Sequence, residues 1–196
     1  MIDINVIREK FIHYMENPNQ YFDLDSAWHY DEDIYKITKK PLSTVLGLKT
    51  LGRGHFSAVF DLGDDRVLKI NHEGKHDAGY HAFAEYAMVN PSPHLPKIYH
   101  IDTWAGHHVY VIEKLEEPTQ FDRQLMLQLS RTEHDPSRPM SKFLKPDVVG
   151  PEFPLLVQRL RDQCSGSWSM RWDLHDENMM MRGDTIVITD PWGGSC

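Results

Sequence analysis

The sequence predicts an α+β fold in two parts: an antiparallel sheet with one helix, then a reduced, mainly helical carboxyl-terminal half. Three observations predict it. Short apolar runs at 45–51, 58–62 and 66–70 are separated by Gly52-Arg53-Gly54 and Gly63-Asp64-Asp65, the pattern of a three-stranded meander. Two further strand-like runs, 97–102 and 109–113, follow a helical stretch over 75–89. Beyond them, apolar residues recur at helical spacing in 121–131 and 154–163. The implied organisation is an amino-terminal helix and lead-in (1–43), a sheet-bearing part (44–115) and a helical part (116–196).

Each element has its own signal. Asp3 is placed to cap a helix whose apolar positions Ile4, Ile7, Phe11 and Met15 repeat every three to four residues until Asn17-Pro18. Residues 21–40 mix charge and aromatics and read as an irregular lead-in with at most one short helix. Asn90-Pro91-Ser92-Pro93 stops the helix over 75–89, and Gly106 marks the turn between the last two strands of the sheet. Residues 115–118 form a connector. In the helix over 154–163, Leu155, Leu156 and Leu160 make an apolar stripe that reads as core, while the proline-rich, charged segment 132–151 reads as a loop. Near the carboxyl end a turn at Arg182-Gly183-Asp184 precedes a strand over 185–189, with Met179, Met180 and Met181 as apolar strand packing before it.

Composition narrows the function classes. The chain has 196 residues, enough for a core without covalent staples. Its two cysteines, Cys164 and Cys196, form no framework, so a reducing compartment is expected. No apolar run approaches the roughly 20 residues needed to cross a bilayer, and the amino terminus has no signal core, so neither a membrane nor export is expected. A net charge of −8 disfavours a broad nucleic-acid surface, which needs clustered cations. The 12 histidines are scattered and match no zinc spacing.

One set of residues carries chemistry. Gly52-x-Gly54 alone is an ordinary hairpin signal, but Lys69 lies on the third strand of the meander, in Val67-Leu68-Lys69-Ile70. Unless it faces solvent, a lysine in so apolar a strand needs an anionic partner. Further on, Asp173 and Asn178 have the D-x-x-x-x-N spacing of a kinase catalytic loop, and Asp190 ends the hairpin that follows. Phosphoryl transfer requires backbone N–H groups near phosphates, a fixed cation, oxygen ligands for magnesium and a positioned acceptor hydroxyl. The glycine turn, Lys69, Asn178 with Asp190, and Asp173 supply these in order. The hairpin is expected to return the chain so that Asn178 and Asp190 meet at one metal ion. Whether Trp192 packs beneath that site or lies exposed is left open.

With these residues in view, the chain resembles the early serine/threonine protein kinases of T7-like bacteriophages. The resemblance rests on Leu51-Gly52-Arg53-Gly54-His55-Phe56-Ser57-Ala58, Val67 to Lys69, Ala82-Phe83, Pro96 with Tyr99, Asp173 with His175 and Asn178, and Ile188-Thr189-Asp190-Pro191. It covers most of the chain after residue 50, and the Gly-His-Phe-Ser-Ala string is its most distinguishing part. It implies a minimal bilobal protein-kinase-like fold, ATP with Mg2+ or Mn2+, and phosphorylation of host bacterial proteins in the cytoplasm of an infected cell, for host takeover or counter-defence. By position it implies that Gly52, Gly54, His55, Phe56 and Ser57 cover the phosphates and that Lys69 holds them. Asp173 and His175 then act at the reacting groups, Asn178 and Asp190 bind the metal, and Glu85 and Glu113 complete the nucleotide set. Glu85 is the expected ion-pair partner of Lys69, with Asp77 as its rival.

The chain also departs from the kinase pattern. Ser57 replaces the third glycine of G-x-G-x-x-G, Arg171-Trp172-Asp173 stands where H-R-D is usual, and Asp190-Pro191-Trp192 replaces D-F-G. No A-P-E segment follows, so a protein acceptor is expected to dock elsewhere. Two other functions compete. A small-molecule phosphotransferase of the aminoglycoside-kinase type shares the Asp173-Leu174-His175 pattern, and a non-catalytic nucleotide-binding inhibitor of a host protein would tolerate the altered glycine loop.

Overall fold

The computed structural model describes residues 2–17, 42–53, 57–71, 78–130, 149–167 and 170–194. Expectations for 21–40, most of the loop over 132–151, Gly54, His55, Phe56 and Asp77 lie outside these residues.

Helix α1 (Ile4–Glu16) begins where the Asp3 carboxylate accepts a hydrogen bond from the Asn5 N–H at 2.9 Å. It buries Ile7, Phe11 and Tyr14. A short helix α2 (Leu42–Leu46) follows, and here the strand expected over 45–51 is corrected: Val45 and Leu46 are helical, and β1 is Lys49–Arg53. Leu42 and Leu46, four residues apart, share one helical face and are both buried, while Gly47 takes φ +72° to end the turn.

Strands β2 (Ser57–Gly63), β3 (Arg66–Asn71), β4 (Ile98–Trp104) and β5 (His107–Glu113) complete an antiparallel five-stranded sheet in the order β1-β2-β3-β5-β4. Between β3 and β4 runs α3 (Ala78–Val89), which buries Tyr80, Phe83, Ala84 and Ala87. The period-2 alternation of the strands sorts their side chains onto two faces. On the outer face, Ala58, Phe60, Leu62, Leu68, Ile70, Val109 and Val111 pack with Phe11, Tyr14, Leu42 and Trp104. On the inner face, Val67, Tyr110 and Ile112 join α3 and the carboxyl-terminal half in a second cluster.

That half contains α4 (Gln120–Ser130), α5 (Glu152–Ser165), a paired β6 (Met170–Trp172) and β9 (Trp192–Gly194), and a hairpin of β7 (Met179–Arg182) and β8 (Thr185–Ile188). The stripe of α5 is Phe153, Leu156, Val157, Leu160 and Cys164, whereas Leu155 is 63% exposed and leaves the expected stripe. Trp192 is buried: its Nε1 donates to the Leu160 carbonyl at 3.0 Å, and its ring meets Phe83 edge-on at 5.9 Å. The backbone of Trp192 lies so close to α3 that a Cβ on Gly79 would sit 2.2 Å from the Trp192 carbonyl oxygen. Only glycine permits that approach. Among the described residues no helix is long and apolar enough to cross a membrane.

Candidate functional site

Lys69 stands opposite Val59 on β2 and Tyr110 on β5, so the alternation that buries Leu68 and Ile70 on the outer face turns Lys69 inward with Val67. Its side chain is 13% exposed, which excludes the solvent-face alternative. Among the described residues, two groups compensate the ammonium for lost water. Nζ lies 3.5 Å from Asp190 Oδ2 and 3.0 Å from the centroid of the Tyr80 ring.

The other polar groups are brought in by backbone bonds around the β7–β8 hairpin. A 3-10 turn over Asp176–Asn178 starts as the Asn178 N–H donates to the His175 carbonyl at 3.0 Å. After the hairpin, the Thr189 N–H donates to the Asn178 carbonyl at 2.8 Å, setting Asp190 beside Asn178. The Asn178 Nδ2 group donates to the Asp173 carbonyl at 2.9 Å, and the Asp173 N–H donates to the Pro191 carbonyl at 2.8 Å. Those bonds join residues 173–178 to residues 189–191, two segments that the hairpin separates in sequence.

Lys69, Asn178 and Asp190 line one cavity of about 450 Å³, together with Gly52 and Ser57 from the strands on either side of the glycine turn. Such a volume lies within the ordinary range for small-molecule sites. Val67, Ile112 and Met180 give it apolar walls. Lys114, on the rim, donates to Asp61 Oδ2 at 2.7 Å, and with the Gly63 N–H this holds the Asp61 carboxyl below its usual range.

The remaining expected residues are distributed as follows. Asp173 is outside the cavity lining but adjoins it through Asn178; its carboxylate is 33% exposed, with Arg171 Nη2 at 3.8 Å. His175 contributes its carbonyl to the turn and does not line the cavity. The expected Glu85–Lys69 ion pair is corrected: Glu85 is 64% exposed, faces His81 Nε2 at 3.5 Å and lies outside the lining, because α3 turns Tyr80 toward Lys69 instead. Glu113 lines the cavity, yet its carboxylate is committed elsewhere. It accepts from the Lys97 N–H at 2.7 Å and pairs with both Arg182 Nε and Nη2.

Arg182 also donates to the carbonyls of Pro93 at 2.6 Å and Leu95 at 2.9 Å. It therefore clamps the β7–β8 hairpin, which carries the Asn178 and Asp190 segments, to the end of β5. Sequence reasoning missed this role because the tripeptide signalled only a turn. It missed Tyr80 because an aromatic on an amphipathic helix reads as core.

The donor set can be tested against a divalent cation. Among the described residues, no cluster of three or more His, Cys, Asp or Glu side chains could cage a metal. Asp190 and Asn178 offer two oxygen ligands, since Nδ2 of Asn178 is occupied and Oδ1 is left. Two protein oxygens suit Mg2+, which keeps several waters and takes the rest of its shell from phosphate.

No protein-family model and no curated protein matches the chain. Among solved structures it is similar to the crystal structure of Rad53 1-466 in complex with AMP-PNP, with a TM-score of 0.44 and 16% sequence identity. The match covers 72% of this chain and 36% of that one.

Proposed function

We propose that this chain is an ATP-dependent phosphotransferase of the protein-kinase-like class, acting on serine or threonine hydroxyls of proteins. One observation carries the reading: Lys69, from the middle of the sheet, shares a cavity with Asn178 and Asp190, more than a hundred residues on in the sequence. Packing alone gives no reason to gather a cation, a carboxylate and a carboxamide around an open cavity.

In this reading Lys69 holds the α- and β-phosphate oxygens, and backbone N–H groups near Gly52 face the phosphates. Asn178 Oδ1 and Asp190 hold the magnesium, which neutralises charge on the phosphates when bound. Asp173 orients the acceptor hydroxyl and takes its proton. The apolar walls exclude water and receive the base. A bacteriophage setting, host bacterial proteins as acceptors and a place in the host cytoplasm are supported by the Gly-His-Phe-Ser-Ala string at 54–58.

The test is incubation with γ-labelled ATP, magnesium and a bacterial lysate. Label on proteins that disappears with Asp173→Ala is the expected result. Equal labelling by both proteins contradicts the reading, and turnover seen only with aminoglycosides or amino alcohols assigns the small-molecule class instead.

A further inference from the structure

We propose that the ring of Tyr80 is the seat that positions Lys69, so that the ammonium is held in the cavity by an uncharged π-face as well as by Asp190. The functional consequence rests on the nucleotide reading above; the seat itself rests on geometry. Lys69 Nζ is 3.0 Å from the Tyr80 centroid, and the ring is 3% exposed. Tyr110 meets Tyr80 at 4.9 Å with an interplanar angle of 86°, a T-shaped contact that restricts the ring's orientation. Tyr110 is itself the cross-strand neighbour of Lys69, and its hydroxyl is within 3.1 Å of His81 Nδ1 on α3. Helix, strand and ring thus form one unit beneath the ammonium.

The chemistry of the cavity explains why a ring suits this position. Among the described residues Asp190 is the carboxylate that faces Lys69, at 3.5 Å, and a divalent cation bound there would draw on the same oxygens. A carboxylate in the place of the Tyr80 ring would offer the cation a competing ligand and draw Lys69 away from phosphate. A π-face attracts the ammonium electrostatically but has no lone pairs directed at a metal, so Lys69 keeps its place while Asp190 changes partners. Tyr80 on this account is a positioning residue that acts through Lys69.

The test separates electrostatics from shape. Tyr80→Phe and counterparts carrying one, two and three ring fluorines at position 80 nearly preserve volume while draining charge from the π-face. Intact protein is treated with a small lysine-directed sulfonyl fluoride at fixed pH, and the labelling rate of Lys69 is read by mass spectrometry against exposed Lys97. The expected result is a Tyr80→Phe rate within about twofold of wild type, followed by a stepwise rise of about threefold or more across the fluorine series. A flat series overturns the proposal. Shielding of Lys69 by ATP with magnesium is measured in parallel. A fluorine trend without shielding keeps the Tyr80 seat and contradicts the nucleotide reading, whereas shielding with a flat series does the reverse.

Discussion

Strand β3 runs between two environments. On its outer face Leu68 and Ile70 are fully buried among Phe11, Leu42 and Trp104, and the contacts there are mainly those of hydrocarbon and ring. On its inner face Val67 and Lys69 look into the cavity, where polar cross-links take over: Lys69 to Asp190 and Tyr80, and Glu113 to Arg182. The outer face gains stability in proportion to area removed from water. The inner face spends some of that stability to keep charged groups partly desolvated around a space they do not fill. Stability and chemistry are therefore assigned to alternate residues of the same strand, so substitutions on the two faces should separate folding from activity.

Truncation on the outer face should cost the most stability. Phe11 is fully buried and meets Trp104 at 5.9 Å and His107 at 5.2 Å, so Phe11→Ala should cost about 3–5 kcal/mol in urea unfolding. The protein that remains folded should keep its turnover. On the inner face the opposite separation is expected. Lys69→Ala should lower ATP-dependent transfer by about a hundredfold or more while moving the unfolding midpoint little. Equal damage to stability and turnover by either variant would contradict the division.

Arg182 belongs to both sides, since it braces the hairpin that carries the site and neutralises a buried carboxylate. Arg182→Met leaves the buried Glu113 carboxylate without its cation and should cost about 2 kcal/mol, since Arg182 is 29% exposed and water recovers part of the loss. Adding Glu113→Gln should return part of that stability, a coupling that a double-mutant cycle measures. Additive losses would show that the two side chains act independently.

The smallest effect is a pH dependence on the outer side. Burial pushes the Asp102 carboxyl upward, but hydrogen bonds from the Thr103 N–H and Trp104 Nε1, the latter at 2.7 Å, together with the charges of Arg8 and His100, outweigh it and hold the carboxyl below its usual range. A depressed carboxyl contributes stability above its unfolded pKa and loses it as pH falls through the folded value. Asp102→Asn should therefore cost under about 1 kcal/mol at neutral pH and flatten the stability profile below about pH 4. An unchanged acid limb would remove Asp102 from the account.

The elements most legible in the sequence were those with long periodic patterns. The amino-terminal helix, the helix before Asn90 and four of the five sheet strands follow from spacing alone, because period 2 and period 3.6 are distinct over such lengths. The short elements were not legible. A five-residue helix at Leu42–Leu46 and three-residue strands at β6 and β9 carry no period, and the β6–β9 pair is held by the packing of Trp192 against Phe83 and its bond to the Leu160 carbonyl. In the site, Lys69, Asn178 and Asp190 could be chosen because phosphoryl transfer constrains residue type and order. Helical position alone points to Glu85, but its side chain turns outward to His81. The Arg182 clamp and the Tyr80 seat arise from contacts 69 residues apart and across a helix–strand junction, which no local pattern encodes.

In the proposed function one cavity holds ATP between Lys69 and a cation bound by Asn178 and Asp190. Calorimetric titration of wild type and Asp190→Asn with ATP, with and without magnesium, decides whether it does. Magnesium-dependent binding is expected in wild type, and loss of that dependence in Asp190→Asn. Binding of equal strength in all four titrations, or none in any, would contradict it.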